Sequence, residues 1–177
     1  MNIEQAPVTS FNPVISTKAQ LLILGSIPGV KSLHDQQYYA HPRNVFWKIM
    51  GELWELPNNL SYQARLSLIQ AHGIALWDIA HQCIRPGSLD SKIDQKSVIP
   101  NVIPALLSAH PHIHTICFNG KASAKLFKQH FPDLLTAPNL SCINLPSTSP
   151  AHASMTFADK LKAWHIVKES IENKGRL

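Results

Sequence analysis

Charge, cysteine and long apolar runs are all scarce in this chain. Only 15% of the 177 residues are charged, and the three cysteines, Cys83, Cys117 and Cys142, stand far apart. With no C-x-x-C pair and no Cys/His ligand spacing, the sequence argues against a zinc or iron–sulfur site and against a disulfide framework. It fits a reducing cytoplasm, with no metal and no cofactor expected. No apolar run approaches the roughly 20 residues that span a bilayer, and MNIEQAPVTSFNP at the start lacks a basic segment followed by an apolar one. A soluble, cytoplasmic monomer with no membrane partner is the expectation. The patterns G-x-G-x-x-G, G-x-S-x-G and the Walker P-loop are absent too, which disfavours the common dinucleotide-binding, α/β-hydrolase and NTPase readings. Nor is there a Lys/Arg tract. The net charge of +5 suits a polyanion partner, but any contact with one must come from a folded surface rather than a basic tail.

What the chain does have is enough apolar content, 45%, for one core, and a length that predicts a single domain over residues 1–177. Four apolar runs rich in β-branched residues read as buried strands: Leu21–Leu24, Ile74–Ile79, Ile113–Phe118 and Leu140–Leu145. Segments of helical character lie between and after them: Val45–Leu53, Ser61–His72 with a Ser cap and a stop at Gly73, Val98–Ala109, Lys121–His130 and Phe157–Asn173. Strands alternating with helices predict an α/β protein, a three-layer α/β/α sandwich around a central four-stranded parallel sheet. The first twenty residues and the last few are expected to be loosely held.

Chemistry concentrates where these strands end. Leu21–Leu24 runs into Gly25-Ser26-Ile27-Pro28-Gly29, which delivers backbone N–H groups to the carboxyl edge of a sheet, the place where open α/β folds bind ligands. A polar loop follows, then Tyr38-Tyr39 and His41-Pro42-Arg43-Asn44 before an apolar helix. Asn44 can donate and accept, so it can hold a water; it is equally a good helix N-cap, and both roles can coexist. Of the two tyrosines, Tyr38 is expected to pack with its hydroxyl satisfied, and Phe46 and Trp47 are expected in the core. Asp78 ends the second strand and suits either an N–H edge or a loop cap or ion pair with Arg85. Ser88-Leu89-Asp90 follow with turn-like composition. Asn119-Gly120-Lys121 reads as a phosphate site at a helix start or as a helix start alone.

Four of these stretches, in this order, resemble the uracil-DNA glycosylase superfamily. GSIPG resembles its first motif and Leu145-Pro146-Ser147-Thr148-Ser149-Pro150-Ala151 its second. YYAHPRNVFWKI and the following WD and GSLD are most similar to the hypoxanthine-DNA glycosylase (deoxyinosine) branch. The resemblance spans residues 20–165 and implies the same three-layer fold. It implies a DNA glycosylase that hydrolyses the N-glycosidic bond of deaminated bases in DNA, hypoxanthine with uracil or xanthine behind it, and so initiates base excision repair. No lysine occupies a motif position suited to a Schiff base, so a monofunctional enzyme is expected.

By the same resemblance Asn44 is the catalytic, water-holding residue and Tyr39 the platform on which the base stacks. Asp78, Gly25, Ser26 and Ile27 face base and sugar. Pro28, Gly29, Lys121, Ser147, Thr148, Ser149 and His152 meet the DNA, although a lone His in a chain with ten is often incidental. The chain departs from the pattern twice. Many relatives carry an Asp or Asn where Ile27 stands and a His or Asn where Leu145 stands. Those losses keep a second reading open, a non-catalytic nucleic-acid-binding member of the fold.

Overall fold

The computed structural model describes residues 6–173. In chain order the elements are β1 (Val8–Thr9), β2 (Leu21–Gly25), α1 (Val30–Asp35), α2 (Phe46–Trp54), α3 (Tyr62–Ala71), β3 (Ile74–Asp78), β4 (Ala80–Cys83), β5 (Ile99–Pro100), α4 (Ile103–Ala109), β6 (Thr115–Asn119), α5 (Lys121–His130), β7 (Ser141–Leu145) and α6 (Phe157–Glu172). Short 3-10 turns cover Asp90–Lys92, Gln95–Ser97 and Pro132–Thr136. β3, β2, β6 and β7 form, in that order, the expected parallel four-stranded sheet.

The sheet is covered on both faces, which is why its central strands are apolar without alternation. Leu22, Leu24, Ala75, Trp77, Ile116 and Phe118 point to one side and pack with Ile103 and Leu106 of α4 and Leu126 and Phe127 of α5. Their neighbours Leu21, Ile23, Ile74, Leu76 and Cys117 point to the other side, against Phe46, Ile49 and Met50 of α2, Ile69 of α3 and Trp164 and Val167 of α6. The expected Ser61 cap is in place, its hydroxyl accepting from the Ala64 N–H (3.2 Å), and α6 is capped in the same way by the Thr156 hydroxyl, which accepts from the Asp159 N–H (3.2 Å).

Three expectations are corrected. Val98–Ala109 is not one helix: its first residues pair as β5 and only Ile103–Ala109 is helical. Pro100 pushes Ile99 into extended backbone and cannot sit inside a helix, whereas Pro104 lies in the first turn, where its missing N–H is harmless. The loop after Gly29 contains the short helix α1. Finally, residues 8–20 are not loose. β1 and β5 flank β4 in a small antiparallel sheet, Val14 bridges Leu76, and the Trp77 indole N–H donates to the Phe11 carbonyl (3.0 Å). Residues 1–5 and 174–177, the outer parts of the expected loose ends, lie outside the described residues.

Candidate active site

β2 and β3 are in register at Gly25 and Asp78, so the first loop and the Asp78 carboxyl leave the sheet side by side. They can do so only because residue 25 is glycine: an ideal Cβ there would lie 2.5 Å from Asp78 Oδ1. On the other side of β2, β6 and the edge strand β7 end together at Asn119 and Leu145. The two motif loops therefore meet at the carboxyl edge of the sheet around one cleft. Gly25, Ser26, Ile27, Pro28 and Gly29 line one wall, and Ser147, Thr148 and Ser149 the other. Tyr39, His41, Asn44, Asp78, Asp90 and Asn119 lie between them.

The first loop is held from behind by a buried guanidinium. Arg85 Nη1 donates to the Ile27 carbonyl (3.3 Å), Nη2 to that of Pro28 (2.6 Å) and Nε to that of Gly87 (2.9 Å). It does not pair with Asp78, the ion pair that the sequence left open. In front, the Ser26 hydroxyl donates to Asp90 Oδ1 (2.7 Å) and the Val30 N–H to Ser88 Oγ (2.9 Å), so the GSLD stretch closes over the loop.

Asp78 is 4% exposed. Burial pushes its carboxyl up to about 7, with the Asp90 charge adding to the rise and the Ser10 hydroxyl opposing it. Ser10 Oγ donates to Oδ2 at 3.1 Å, which gives the N-terminal segment a role in the site. Sequence carried no signal for this, since a single serine in an aperiodic segment looks like any other.

Tyr39 sits in the left-handed region, φ 57°, which a bulky side chain rarely adopts. Its ring stacks on Phe46 (centroids 4.0 Å apart, planes at 26°), so only the opposite face is free for a ligand. Burial raises its phenol above the ordinary value and the Asp78 charge adds to this, while the Asn119 amide works against them. Tyr38 packs as expected, with its hydroxyl donating to the Asn12 carbonyl (3.2 Å). Phe46 is fully buried, whereas Trp47 is half-buried and donates its indole N–H to the Tyr38 carbonyl (3.0 Å).

Asn44 is not the N-cap of α2, which is Val45; it stands one residue earlier, and its Oδ1 still accepts from the first helical N–H, that of Phe46 (3.0 Å). It also lines the cleft, and the amide oxygen has a second lone pair. The helix start is tied to the second motif, because the Val45 N–H donates to the Thr148 carbonyl (3.1 Å).

Asn119 is a residue whose part the sequence did not reveal. Its Oδ1 accepts from the Thr148 N–H and its Nδ2 donates to Thr148 Oγ1, both at 2.9 Å. Next to it Gly120, at φ 98°, leaves room for Ser147, whose Cβ would be 2.9 Å from a Cβ at 120. The Asn-Gly pair that reads as a helix opening thus braces the second loop. Lys121 is exposed at the start of α5 and His152 is half-buried beyond the loop; neither lines the cleft. Ile27 is 6% exposed and packs with the α4/α5 core, and Leu145 is 5% exposed and packs with the α2/α3/α6 core. Both positions are apolar because they complete the two cores.

Among the described residues, no group of three or more His, Cys, Asp or Glu side chains is placed to hold a metal ion, and no helix is long and apolar enough to cross a membrane.

Comparison with known proteins agrees with this geometry. The family model described as the Uracil DNA glycosylase superfamily matches residues 13–168. The chain is 33% identical over 143 residues to a protein named Hypoxanthine DNA glycosylase from Methanosarcina acetivorans, covering 80% of this chain and 86% of that one. A protein of the same name from Methanosarcina barkeri is 37% identical over 116 residues, 65% of this chain and 72% of that one. A solution NMR structure of a Methanosarcina acetivorans protein, provisionally designated a uracil DNA glycosylase, superposes with a TM-score of 0.79 at 28% identity. That match covers 94% of this chain and 99% of the other.

Proposed function

This chain belongs to the uracil DNA glycosylase superfamily and is a DNA glycosylase; we propose that it is monofunctional and hydrolyses the N-glycosidic bond of deaminated bases in DNA, hypoxanthine first. The observation that carries the substrate reading is the single cleft into which Tyr39, Asn44, Asp78 and both motif loops converge. An extruded nucleotide stacks its base on the free face of Tyr39, a contact worth roughly 1–3 kcal/mol. The base presents a lactam edge, N–H beside C=O. A carboxyl that titrates near 7 can meet it from both directions, accepting from the N–H and, when neutral, donating to the carbonyl. Uracil and xanthine share that edge and stand second. Asn44 holds the attacking water with its remaining amide capacity, while Ser147, Ser149 and the Pro28-Gly29 turn receive the flanking phosphates. Thr148, buried and bonded to Asn119 through its N–H and its hydroxyl oxygen, shapes their loop instead of meeting the DNA as expected. Lys121 and His152 serve the DNA outside the cleft. The enzyme acts as a monomer on DNA in the cytoplasm or nucleoid and opens base excision repair.

Single-turnover cleavage of duplexes carrying one hypoxanthine, uracil or xanthine tests the substrate class, and Asn44→Ala tests the mechanism. Loss of a water-holding group lowers the rate by about 10²-fold or more. Loss of the bond to the Phe46 N–H alone removes about 1 kcal/mol of stability and leaves the chemical rate intact. A stable Asn44→Ala protein that cleaves at the wild-type rate would move catalysis elsewhere in the cleft, and no cleavage of any of the three duplexes by the wild type would overturn the substrate reading.

A further inference from the structure

Hydrolysis at a sugar carbon needs two services that an amide does not supply: an anion beside the cationic sugar and an acceptor for the proton of the attacking water. Asn44 can orient a water but cannot take its proton. His41 lines the cleft, yet its Nδ1 accepts from the Arg43 N–H (3.1 Å), so in the neutral ring Nε2 carries the proton and acts as a donor. Ile27 and Leu145 are apolar. Two carboxyls remain among the lining residues, Asp78 and Asp90.

Their surroundings divide them. Asp78 lies at the floor, buried at the end of β3 with Ser10 bonded to one oxygen. Asp90 stands in the wall at the start of a 3-10 turn. As a residue it is exposed, but its carboxyl end turns inward to the Ser26 hydroxyl, 2.7 Å from Oδ1. That donor engages one oxygen, and among the described residues no other hydrogen bond to this carboxyl is made, in a residue that lines the cleft. Burial raises both carboxyls, Asp78 up to about 7 with the Asp90 charge adding to its rise, while at Asp90 the Ser26 hydroxyl and the Arg85 charge oppose the rise. Two acids set apart in this way in one cleft let one read the base in its neutral form and the other act charged.

We propose, resting on the glycosylase reading above, that Asp90 is a catalytic residue whose carboxylate stabilises the cationic sugar and takes the proton of the attacking water. The C1′–N9 bond of the extruded purine nucleotide breaks with its electron pair leaving on the base. The water oxygen bonds to C1′, and one water proton passes to Asp90. That proton then reaches the departing purine anion, directly or relayed through solvent, so the products are the neutral base and the sugar hemiacetal. Ser26 is the positioning residue for this carboxylate.

Asp90→Asn keeps the shape and the bond from Ser26 but removes the anion. Its single-turnover cleavage of hypoxanthine duplex falls by about 10²-fold or more. Binding to a duplex carrying a non-hydrolysable 2′-fluoro analogue of deoxyinosine is retained. Ser26→Ala loses rate to a smaller degree, and little is lost by adding it to Asp90→Asn. Formate restores cleavage to Asp90→Gly, which a purely structural strap between the two loops would not allow. Wild-type rates in Asp90→Asn, or a slow Asp90→Gly protein on which formate has no effect, would overturn the assignment while leaving the glycosylase reading intact. A wild-type protein that fails to cleave any deaminated base would instead overturn both.

Discussion

Replacing Gly25 by alanine is a sharp test of how the cleft is built. The backbone of Gly25 lies outside the left-handed region, so alanine can adopt it without strain and the effect is steric alone. The added Cβ would sit 2.5 Å from Asp78 Oδ1, and the carboxyl must retreat by at least 0.5 Å to reach the 3.0 Å below which such contacts essentially never fall. It has little room for this, because Ser10 holds the other oxygen and β3 is fixed in register with β2. Overpacking of this kind costs about 1–3 kcal/mol. A misplacement of about 1 Å in a reacting site can lower a rate by ~10²-fold, so a loss of about tenfold to a hundredfold is expected in single-turnover cleavage of hypoxanthine duplex. The double variant Gly25→Ala/Asp78→Ala removes the clash: thermal stability returns toward that of Asp78→Ala, and cleavage remains low. A Gly25→Ala protein that melts and cleaves like the wild type would show that Asp78 is not held against the first loop as described.

Asp78 also fixes a pH dependence. Its carboxyl titrates near 7 in the folded chain against an ordinary value of 3.8, so the folded state binds this proton more tightly than the unfolded one. The associated stability is complete below about pH 4 and is lost as pH rises through about 7, on the order of 4 kcal/mol for an isolated group. Asp78→Asn should therefore gain on the wild type as pH rises from 4 to 7 in thermal melts, and a constant difference across that range would contradict the assigned environment. Arg85→Met should leave the carbonyls of Ile27, Pro28 and Gly87 without their donor and destabilise by about 2–4 kcal/mol, with cleavage falling as the first loop relaxes. A melting temperature unchanged by Arg85→Met would mean that the loop holds itself.

The layered fold was legible because its determinants are local. LLILG and IALWD are short, apolar and bounded by turn residues, and buried parallel strands need little else. The small antiparallel sheet was not legible: AHQC in β4 buries only its ends, and two-residue partners leave no period to detect. In the cleft, sequence identified residues whose type is demanding, such as Gly25, Asn44 and Asp78, and the structure brings these together. It did not identify relations between distant small polar groups. Asn119 reads as the opening of a helix until Thr148, 29 residues away, is found on both ends of its amide. Ser10 reads as part of a tail until its hydroxyl is found on Asp78. Such bonds depend on tertiary placement, which periodicity does not record.

The position of β2 at the centre of the sheet sets the order in which the protein can fold. Its parallel neighbours begin pairing at Leu21 with Ile74 on one side and Thr115 on the other, so both partners arrive late in the chain. A ribosome adding about 5–20 residues per second leaves the second edge of β2 uncovered for roughly 5–20 s. During that interval Leu21-Leu22-Ile23-Leu24, every side chain of which is fully buried in the native state, is an apolar strand with an open edge. Closing such non-local pairs is slow by topology alone. The segment that later anchors the first loop of the cleft is thus also the one that a nascent chain most needs shielded, and variants that weaken β6 should reveal themselves first as aggregation during synthesis.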